Sequence, residues 1–265
     1  MNRLSVYLNV CRGVYQKGTS AVLLLAIFFS NLGFLLIPFH EAMAAQATID
    51  ATVSTATTEH TILGSATVFV SDQVGYKFYV DSTGTCVYSK TSNAGTTWGT
   101  AVIIDSKTDC FGVTVWYDRW TPGDNGNYIH ILTADTVNDD LWYNRLDTTN
   151  DERLLAAVPV SVVLTAPGQG GTIAPGANNG SITKGTDGTI YMAMNDNTDS
   201  YIVECSSNCG ASTSWTETGA NPMDLQPDFS LLMPLSNGDI LLINRALIAD
   251  DLRSKVWNNT GGSWS

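Results

Sequence analysis

Short strand-like runs of alternating apolar and polar residues recur along the chain, and each run is led by a glycine. In three of the four runs the glycine follows Asn or Asp, a pair that favours a β-hairpin when such alternation comes after it. The four glycines are 51, 62 and 50 residues apart, which indicates an internal repeat. The runs are QVGYKFYVDS at Gly75, DNGNYIHILTA at Gly126, TDGTIYMAMND at Gly188 and SNGDILLINRA at Gly238.

Each repeat divides into short strands separated by turn residues. Strands are predicted at 181–183, 189–195 and 201–205 in the third repeat, and at 230–233, 240–244 and 254–257 in the fourth. Segments 151–157 and 246–253 have room for a turn or two of helix but lack a long amphipathic period. The pattern predicts an all-β fold, a β-propeller of four-stranded antiparallel blades, with repeats beginning near residues 60, 112, 180 and 229.

A second shared feature follows each glycine by about twenty residues. The first copy, TSNAGTTW, fits the pattern [S/T]-x-[D/N]-x-G-x-[S/T]-[W/F] at every specified position, the third and fourth copies keep its core, and the second, at 146–151, lacks the glycine and the tryptophan. An Asn side chain can close such a turn on backbone N–H groups, glycine supplies a positive φ, and the tryptophan buries a large apolar area. These residues are therefore predicted to be structural: Thr91, Asn93, Gly95, Trp98, Asn208, Gly210, Asn259, Gly261 and Trp264.

This motif, in register with the glycine-led strands, resembles the Asp-box of the sialidase-like (BNR-repeat) β-propeller superfamily. The resemblance covers roughly residues 60–265. It implies the propeller fold, usually of six or more blades, so the four repeats here favour an incomplete propeller; the alternatives are closure by self-association and a further contribution from strands before Gly75. Such blades serve glycosidases, lectin-like binders, receptors and assembly factors, so the resemblance is specific for fold and not for function.

The N-terminal 44 residues differ from the rest. Basic residues precede an apolar run at 21–39, and Ala42-Met43-Ala44 follows, which predicts an export signal cleaved after Ala44; the alternative is a retained membrane anchor. The whole chain has 13 basic and 25 acidic residues; removing three basic residues and Glu41 leaves 45–265 with a net charge of −14. Such a charge disfavours nucleic acid, and a membrane is expected as a partner only through an uncleaved N-terminal segment.

Four cysteines remain in the predicted mature chain, and an even number in an exported protein indicates disulfides. Four cysteines allow three pairings, of which Cys86 with Cys110 and Cys205 with Cys209 is the most local. No zinc spacing is present, and no metal site is predicted. Calcium is the one candidate cofactor, and the acidic loops at 135–140, 195–199 and 250–251 are the segments that suggest it. Solvated turns are the favoured interpretation of these loops.

The most unusual stretch lies at the predicted end of the second repeat's inner strand. Inner strands line the channel of a propeller, where aromatic rings stack on sugars and charged groups fix hydroxyls or carboxylates. The alternative is an aromatic contact between blades, with Asp118 and Arg119 as a neighbouring pair in solvent. The candidate ligand-binding residues are Trp116, Tyr117, Asp118, Arg119 and Trp120, together with Arg245 at the end of a strand in the fourth repeat.

Three functions follow from these features, and no catalytic residue is assigned. The first hypothesis is a secreted or envelope-located, non-catalytic propeller that binds a glycan or another cell-surface ligand. The second is an exo-acting glycoside hydrolase of the sialidase type, for which the resemblance implies arginines around a carboxylate and here offers Arg119 and Arg245; no F/Y-R-I-P motif marks such an arginine. The third is an envelope scaffold or assembly protein.

Overall fold

The computed structural model describes residues 47–53, 66–104, 109–135, 140–155, 160, 180–195, 200–218, 227–246 and 251–265. All of them belong to one compact unit, Gln46–Ser265, and the predicted export signal lies outside them. Within these ranges no helix combines the length and the hydropathy that a membrane span needs.

The described chain forms four antiparallel sheets of four strands each, and in every sheet the strands lie side by side in chain order. Sheet 1 contains β1 (Thr67–Phe69), β2 (Gly75–Val80), β3 (Cys86–Thr91) and β4 (Val102–Ile103). Sheet 2 contains β5 (Cys110–Tyr117), β6 (Tyr128–Asp135), β7 (Leu141–Asp147) and β8 (Glu152–Leu154). Sheet 3 contains β9 (Ser181–Lys184), β10 (Ile190–Asn195), β11 (Ser200–Cys205) and β12 (Thr216–Glu217). Sheet 4 contains β13 (Pro227–Pro234), β14 (Ile240–Ala246), β15 (Asp251–Asn258) and β16 (Ser263–Trp264).

Successive sheets pack face to face. The first strand of a sheet contacts the first or second strand of the sheet before it: β5 contacts β2, β9 contacts β5 and β6, and β13 contacts β9 and β10. Sheet 2 is therefore covered on both faces, with Ile129 and Ile131 in the core shared with sheet 1 and Leu132 and Tyr143 in the core shared with sheet 3. The prediction of an all-β fold made of four-stranded antiparallel propeller blades is confirmed.

Two segments differ from the sequence-based expectation. The sequence allowed a turn or two of helix at 151–157 and at 246–253. The described parts of both segments form strands instead: Glu152–Leu154 is the edge strand β8, paired with β7, and Asp251–Asn258 is the strand β15, paired with β14. Strand pairing is more favourable than a short helix here, because a neighbouring strand offers a continuous row of backbone donors and acceptors. A helix of one or two turns leaves most of its terminal N–H and C=O groups without partners.

The turn between the third and fourth strands of each sheet, called the third turn below, contains the copies of the shared motif. In sheet 1 the backbone N–H of Thr97 donates to Asn93 Oδ1 at 2.9 Å, and that of Gly95 donates to Thr91 Oγ1 at 3.0 Å. Gly95 has a φ of 83°, and the Trp98 ring lies over it. These contacts close the turn through side chains that the motif specifies.

The glycines of the other third turns differ from the expected positive φ. In sheet 3 the left-handed residue is Asn208, with a φ of 53°, and in sheet 4 it is Gly262, with a φ of 60°, so the expectation is wrong for Gly210 and Gly261. Gly210 serves a packing purpose instead, because a Cβ there would lie 3.0 Å from the Leu154 side chain of sheet 2. A side chain here would press against the end of the Leu154 side chain, so the glycine relieves a tight contact between the two sheets.

Two disulfides are present among the described residues, and they follow the most local of the three pairings. Cys86–Cys110 joins the start of β3 to the start of β5 and so links sheets 1 and 2 covalently. Cys205–Cys209 lies within the third turn of sheet 3. Such bonds are typical of proteins that fold outside the reducing cytoplasm.

Candidate functional site

The turn after β5 is fixed to the next sheet by hydrogen bonds. Asp118–Trp120 forms a single turn of 3-10 helix directly after Tyr117. The indole Nε1 of Trp116 donates to Thr121 Oγ1 at 3.0 Å, and the Thr121 hydroxyl donates to the carbonyl of Lys184 at 2.8 Å. The end of the first strand of sheet 2 is thereby tied to the end of the first strand of sheet 3.

One pocket beside this turn is apolar and lies among the first strands of sheets 2, 3 and 4. Its volume is about 370 Å³. Trp116 and Trp120 meet edge to face in its wall, with ring centroids 5.5 Å apart, and Trp120 is 37% exposed. The remaining lining residues are Val115, Ser181, Ile182, Leu231, Leu232 and Met233. We call this the channel-side pocket.

On the other side of the turn Asp118 is fully buried. Its carboxylate accepts hydrogen bonds from His130 Nε2 at 2.9 Å, Lys184 Nζ at 2.6 Å and the backbone N–H of Tyr128 at 2.8 Å. The alternative of an Asp118–Arg119 pair in solvent is therefore wrong, because the aspartate turns inward to partners that are distant in sequence. Gly126 makes room for it: a Cβ at that position would lie 2.1 Å from Asp118 Oδ2.

These contacts keep the carboxylate charged. Burial alone would raise the pKa of Asp118, but the hydrogen bonds from His130 and Lys184 outweigh it and lower the pKa to about 2. Lys184 is held by a second carboxylate, Asp124, at 2.8 Å. Burial opposes its charge, yet the two aspartates raise the pKa of Lys184, so the ion pair persists at neutral pH.

His130 connects Asp118 to a tyrosine. Its Nδ1 lies 2.7 Å from the hydroxyl oxygen of Tyr143, and both side chains are buried. Burial lowers the pKa of His130 more than Asp118 raises it, so the imidazole is neutral at pH 7. Because ionised Asp118 can only accept, Nε2 carries the proton and the Tyr143 hydroxyl donates to Nδ1. Burial raises the pKa of Tyr143, which therefore stays a phenol.

Tyr143 and His130 form part of the wall of a second pocket, between sheets 2 and 3, with a volume of about 570 Å³. We call it the junction pocket. Strand alternation places Tyr128 and His130 on one face of β6, and Tyr143 and Arg145 on the same face of β7, with His130 directly opposite Arg145. Sheet 3 supplies the rest of the wall, chiefly Lys184, Gly188, Ile190 and the third turn from Ser206 to Ala211; Leu154 of sheet 2 completes it.

Arg145 carries a positive charge in this wall and forms no direct ion pair among the described residues, although the nearby carboxylate of Asp147 interacts with it electrostatically. Its guanidinium carbon lies 4.2 Å from the centroid of the Tyr128 ring, a cation–π contact, and the side chain is half-buried. No Asp or Glu is among the described residues that line the pocket. The wall therefore offers planar guanidinium donors that are free to bind an anion.

The equivalent junctions elsewhere are closed by a tyrosine. Tyr76 on β2 donates to Asp151 in the third turn of sheet 2 at 2.7 Å, and Tyr191 on β10 donates to Asn259 in the third turn of sheet 4 at 2.9 Å. Tyr128 on β6 also comes within three residues of its repeat glycine, but within the described ranges its hydroxyl makes no hydrogen bond to the third turn of sheet 3. The junction pocket occupies the gap that this missing contact leaves open.

The sequence-predicted ligand residues separate into different environments. Trp116 and Trp120 line the channel-side pocket, while Tyr117 is buried in the core between sheets 1 and 2. Arg119 is exposed and donates to the carbonyl of Gly126 and to Asn127 Oδ1, so it lines neither pocket. Arg245 lies on β14 with its backbone opposite Leu252, and its side chain is outside what the structure describes.

Sequence reasoning missed four residues of the junction pocket: His130, Tyr143, Arg145 and Lys184. The signal for them is present in the alternation of YIHILTAD and LWYNRLD, which puts polar side chains on a face that is otherwise apolar. Combining that alternation with an antiparallel register between the two strands would have brought His130 and Arg145 together.

Most of the acidic loops, namely 136–139, 196–199 and Asp250, lie outside the described residues. The described Asp135 accepts a hydrogen bond from the Trp142 indole at 3.0 Å. In the part of the chain that the structure describes, no group of three or more His, Cys, Asp or Glu side chains is arranged to hold a metal ion.

No family model and no curated protein matches the chain. Similar solved structures include a polysaccharide lyase of the PL25 ulvan lyase family bound to -[GlcA(1-4)Rha3S]-, with 14% identity over 72% of this chain and 51% of that one, at a TM-score of 0.47. A fucose-binding lectin of Aleuria aurantia has 14% identity over 72% and 58%, at 0.43, and an exo-β-1,3-galactanase of Clostridium thermocellum has 12% over 81% and 50%, at 0.44. The chain thus spans about half the length of these carbohydrate-binding or carbohydrate-degrading proteins, and the likeness says nothing of its own ligand or reaction.

Proposed function

We propose that this protein is an exported, sialidase-like propeller that binds an acidic saccharide, and that the junction pocket is its binding site. The observation that carries the proposal is the guanidinium of Arg145, which forms no direct ion pair among the described residues, in a pocket that opens where other sheet junctions are closed. The four motif copies at equivalent third turns support the sialidase-like assignment, and the two disulfides support export.

The pocket has the size and the polar groups that a sugar requires. A volume of about 570 Å³ lies within the range of small-molecule sites. Ser206, Ser207 and Asn208 are exposed on the third turn of sheet 3 and offer hydroxyl and amide groups to sugar hydroxyls. The chemistry of the wall favours a sugar that carries a carboxylate or a sulfate, because Arg145 binds either group with two parallel hydrogen bonds.

The acidic character of the whole chain does not oppose this assignment. The net charge is −12, but charges in solvent are screened over roughly 8–10 Å at physiological ionic strength. Asp118 and Asp124 lie within that distance of the pocket wall, but both pair with Lys184. No carboxylate is among the described residues that line the pocket, so Arg145 is the cation in direct reach of a bound anion. Selectivity for the acidic sugar is therefore a property of the pocket wall.

The channel-side pocket supports a second saccharide contact. Trp120 presents a partly exposed ring held edge to face by Trp116, and an indole face stacks on the apolar face of a sugar ring. This contact would suit neutral sugars, because no charged side chain is among the described residues that line the pocket. Binding that depends on Trp120 alone would identify this pocket, and not the junction pocket, as the principal site.

The experiment is a glycan array followed by calorimetry with neutral, carboxylated and sulfated saccharides. We expect Arg145→Met to weaken binding of an acidic saccharide by at least about tenfold, the value of one charge-assisted hydrogen bond. Arg119→Met removes an exposed arginine that lines neither pocket and is the matched control, expected to bind as the parent does. Equal affinity of Arg145→Met, or binding of neutral saccharides only, would overturn the proposal.

A further inference from the structure

A chain of hydrogen bonds begins in the wall of the junction pocket and runs into the interior, and the binding of a saccharide does not require it. The chain runs from Tyr143, in the pocket wall, through both nitrogens of His130 to Asp118, over distances of 2.7 and 2.9 Å. Each member is buried, and Lys184 fixes the terminal carboxylate from the neighbouring sheet. A phenol linked through imidazole to a buried carboxylate is an arrangement for moving a proton.

We propose that Asp118, His130 and Tyr143 form a proton relay, that Tyr143 is the group that exchanges protons with the bound saccharide, and that the reaction is β-elimination in a uronate-containing polysaccharide. This inference rests on the proposed binding of an acidic saccharide in the same pocket.

The proton balance of the reaction closes within the relay. Tyr143 passes its phenolic proton to His130 Nδ1 as its oxygen takes the proton from the uronate carbon next to the carboxylate, so the phenol is restored and His130 becomes imidazolium. The electron pair of the broken C–H bond forms the new C=C bond, and the glycosidic C–O bond at the adjacent carbon breaks. The proton on His130 then returns through Tyr143 to the departing sugar oxygen. No oxidant, reductant or water is consumed.

The charges around the relay favour this reaction. A uronate carbon is a weak acid because its carboxylate already carries a negative charge, and a guanidinium bound to that carboxylate stabilises the charge that develops. Arg145 and Tyr143 lie two residues apart on the same face of β7, so their Cα atoms are separated by about 7 Å. This spacing suits one group on the carboxylate and the other on the neighbouring carbon.

The described wall is poorly suited to the usual glycoside hydrolysis. That reaction uses two carboxylates, one on each side of the scissile bond. No Asp or Glu lines the junction pocket among the described residues, and Asp118 is covered by His130 and Lys184. Asp118 therefore acts through His130 by offsetting the charge of the imidazolium, and both are positioning residues for Tyr143.

The test uses the full exported chain with alginate, polygalacturonate and hyaluronan as probes, and with the same polymers after chemical reduction of their carboxylates. Elimination is followed by the ultraviolet absorbance of the unsaturated uronate and by the mass of the products. We expect Tyr143→Phe to lower kcat by at least about 100-fold with KM little changed, because only the proton-carrying hydroxyl is removed. Tyr88→Phe, which alters a buried tyrosine of sheet 1 that lines neither pocket, is expected to leave kcat unchanged.

A second variant tests the relay itself. His130→Gln keeps a hydrogen-bonding side chain but cannot become a cation, so it is expected to lower kcat like Tyr143→Phe. Because the two residues act as one unit, the double variant should lose little more than either single variant. Denaturation curves identify variants that fail to fold, and Tyr143→Phe then decides the question.

The outcomes separate this inference from the proposed function. Unsaturated products from the native polymers, absent with the reduced polymers and lost in Tyr143→Phe, support the inference. Binding of uronate polymers without unsaturated products, saturated products of hydrolysis, or full activity of Tyr143→Phe would overturn it and leave the binding function intact. Failure to bind any of these polymers, together with failure to bind any sulfated saccharide, would overturn both.

Discussion

Lys184 Nζ lies 2.6 Å from Asp118 Oδ1, a contact between the end of β9 in sheet 3 and the 3-10 turn that follows β5 of sheet 2. The aspartate is fully buried and only 15% of the lysine side chain is exposed, so the pair is largely removed from water. In such surroundings the loss of one partner leaves a charge without compensation, which costs more than the pair itself contributes. This ion pair therefore fixes the junction of sheets 2 and 3 beside the pocket.

The first prediction concerns this ion pair. Lys184→Met should lower the free energy of unfolding by about 2 kcal/mol, less than for a fully buried pair, because His130 and the Tyr128 N–H still bind Asp118. Lys90→Met is the matched control, since Lys90 pairs with Asp151 at 2.7 Å with both side chains more than one third exposed, and we expect a loss below about 1 kcal/mol. Urea denaturation measures both, and equal losses would show that burial of the Asp118 pair is unimportant.

The second prediction concerns acid. Asp118 has its pKa lowered from 3.8 to about 2, so the stabilisation is complete above pH 3.8 and is lost as the pH falls towards 2, a change of about 2 kcal/mol. The pKa of His130 is lowered from 6.5 by burial, so the unfolded chain binds more protons below about pH 6.5 and stability falls there too. The charged and titratable groups around the imidazole are Asp118, Lys184, Tyr143 and Arg145.

Denaturation midpoints between pH 7 and pH 3 measure this dependence. Asp118→Asn should be less stable than the parent at pH 7, and its stability should vary less with pH below 4, because the group that titrates there is gone. A parent chain whose unfolding free energy is constant between pH 6 and pH 3 would contradict the assignment of a buried, ionised Asp118.

The third prediction concerns Gly126. An alanine Cβ would lie 2.1 Å from the Asp118 carboxylate and must displace it, so Gly126→Ala should lower the free energy of unfolding by roughly 1–3 kcal/mol. Gly99→Ala places its Cβ at an ordinary 3.4 Å from the Lys90 carbonyl and should change stability little. Neither glycine has a positive φ, so the comparison isolates the collision with Asp118. A loss in Gly99→Ala equal to that in Gly126→Ala would contradict the prediction.

The fourth prediction concerns the tyrosines at the sheet junctions. Tyr191→Phe removes the hydrogen bond to Asn259 and should cost about 1 kcal/mol of unfolding free energy, whereas Tyr128→Phe removes no such bond and should cost less than about 0.5 kcal/mol. Thermal or urea denaturation compares the two. If Tyr128→Phe is the more destabilising variant, its hydroxyl bonds to the third turn and the junction is closed in solution.

The sequence was sufficient to predict the main strands of the fold. Alternation and repeated glycines located the second strand of every sheet, since these signals depend on residues close together in the chain. Trp116 and Trp120 stood out for the same reason, as an aromatic cluster within five residues. Local patterns could also mislead: Asp118 and Arg119 are adjacent, but the chain turns between them, and only Asp118 enters the interior.

The junction pocket could not be read from the chain in this way. His130 and Arg145 meet through the register of β6 and β7, and Lys184 joins them through the packing of sheet 3 on sheet 2. Neither the strand register nor the packing of the sheets produces a sequence motif of fixed spacing. The pocket also depends on a contact that is missing at Tyr128, and a missing contact has no sequence pattern of its own.

The tyrosine contacts between sheets bear on how such a chain can grow. Tyr76 and Tyr191 each point forward to the next sheet, and the partners Asp151 and Asn259 point back to the one before. A duplicated unit therefore carries one half of each joint at either end, and a new copy can be inserted without inventing a new contact. Once several joints exist, one of them can diverge at little cost to folding. The junction pocket lies at the joint where, among the described residues, the tyrosine of the second strand makes no such contact, and it is there that we propose that a saccharide binds.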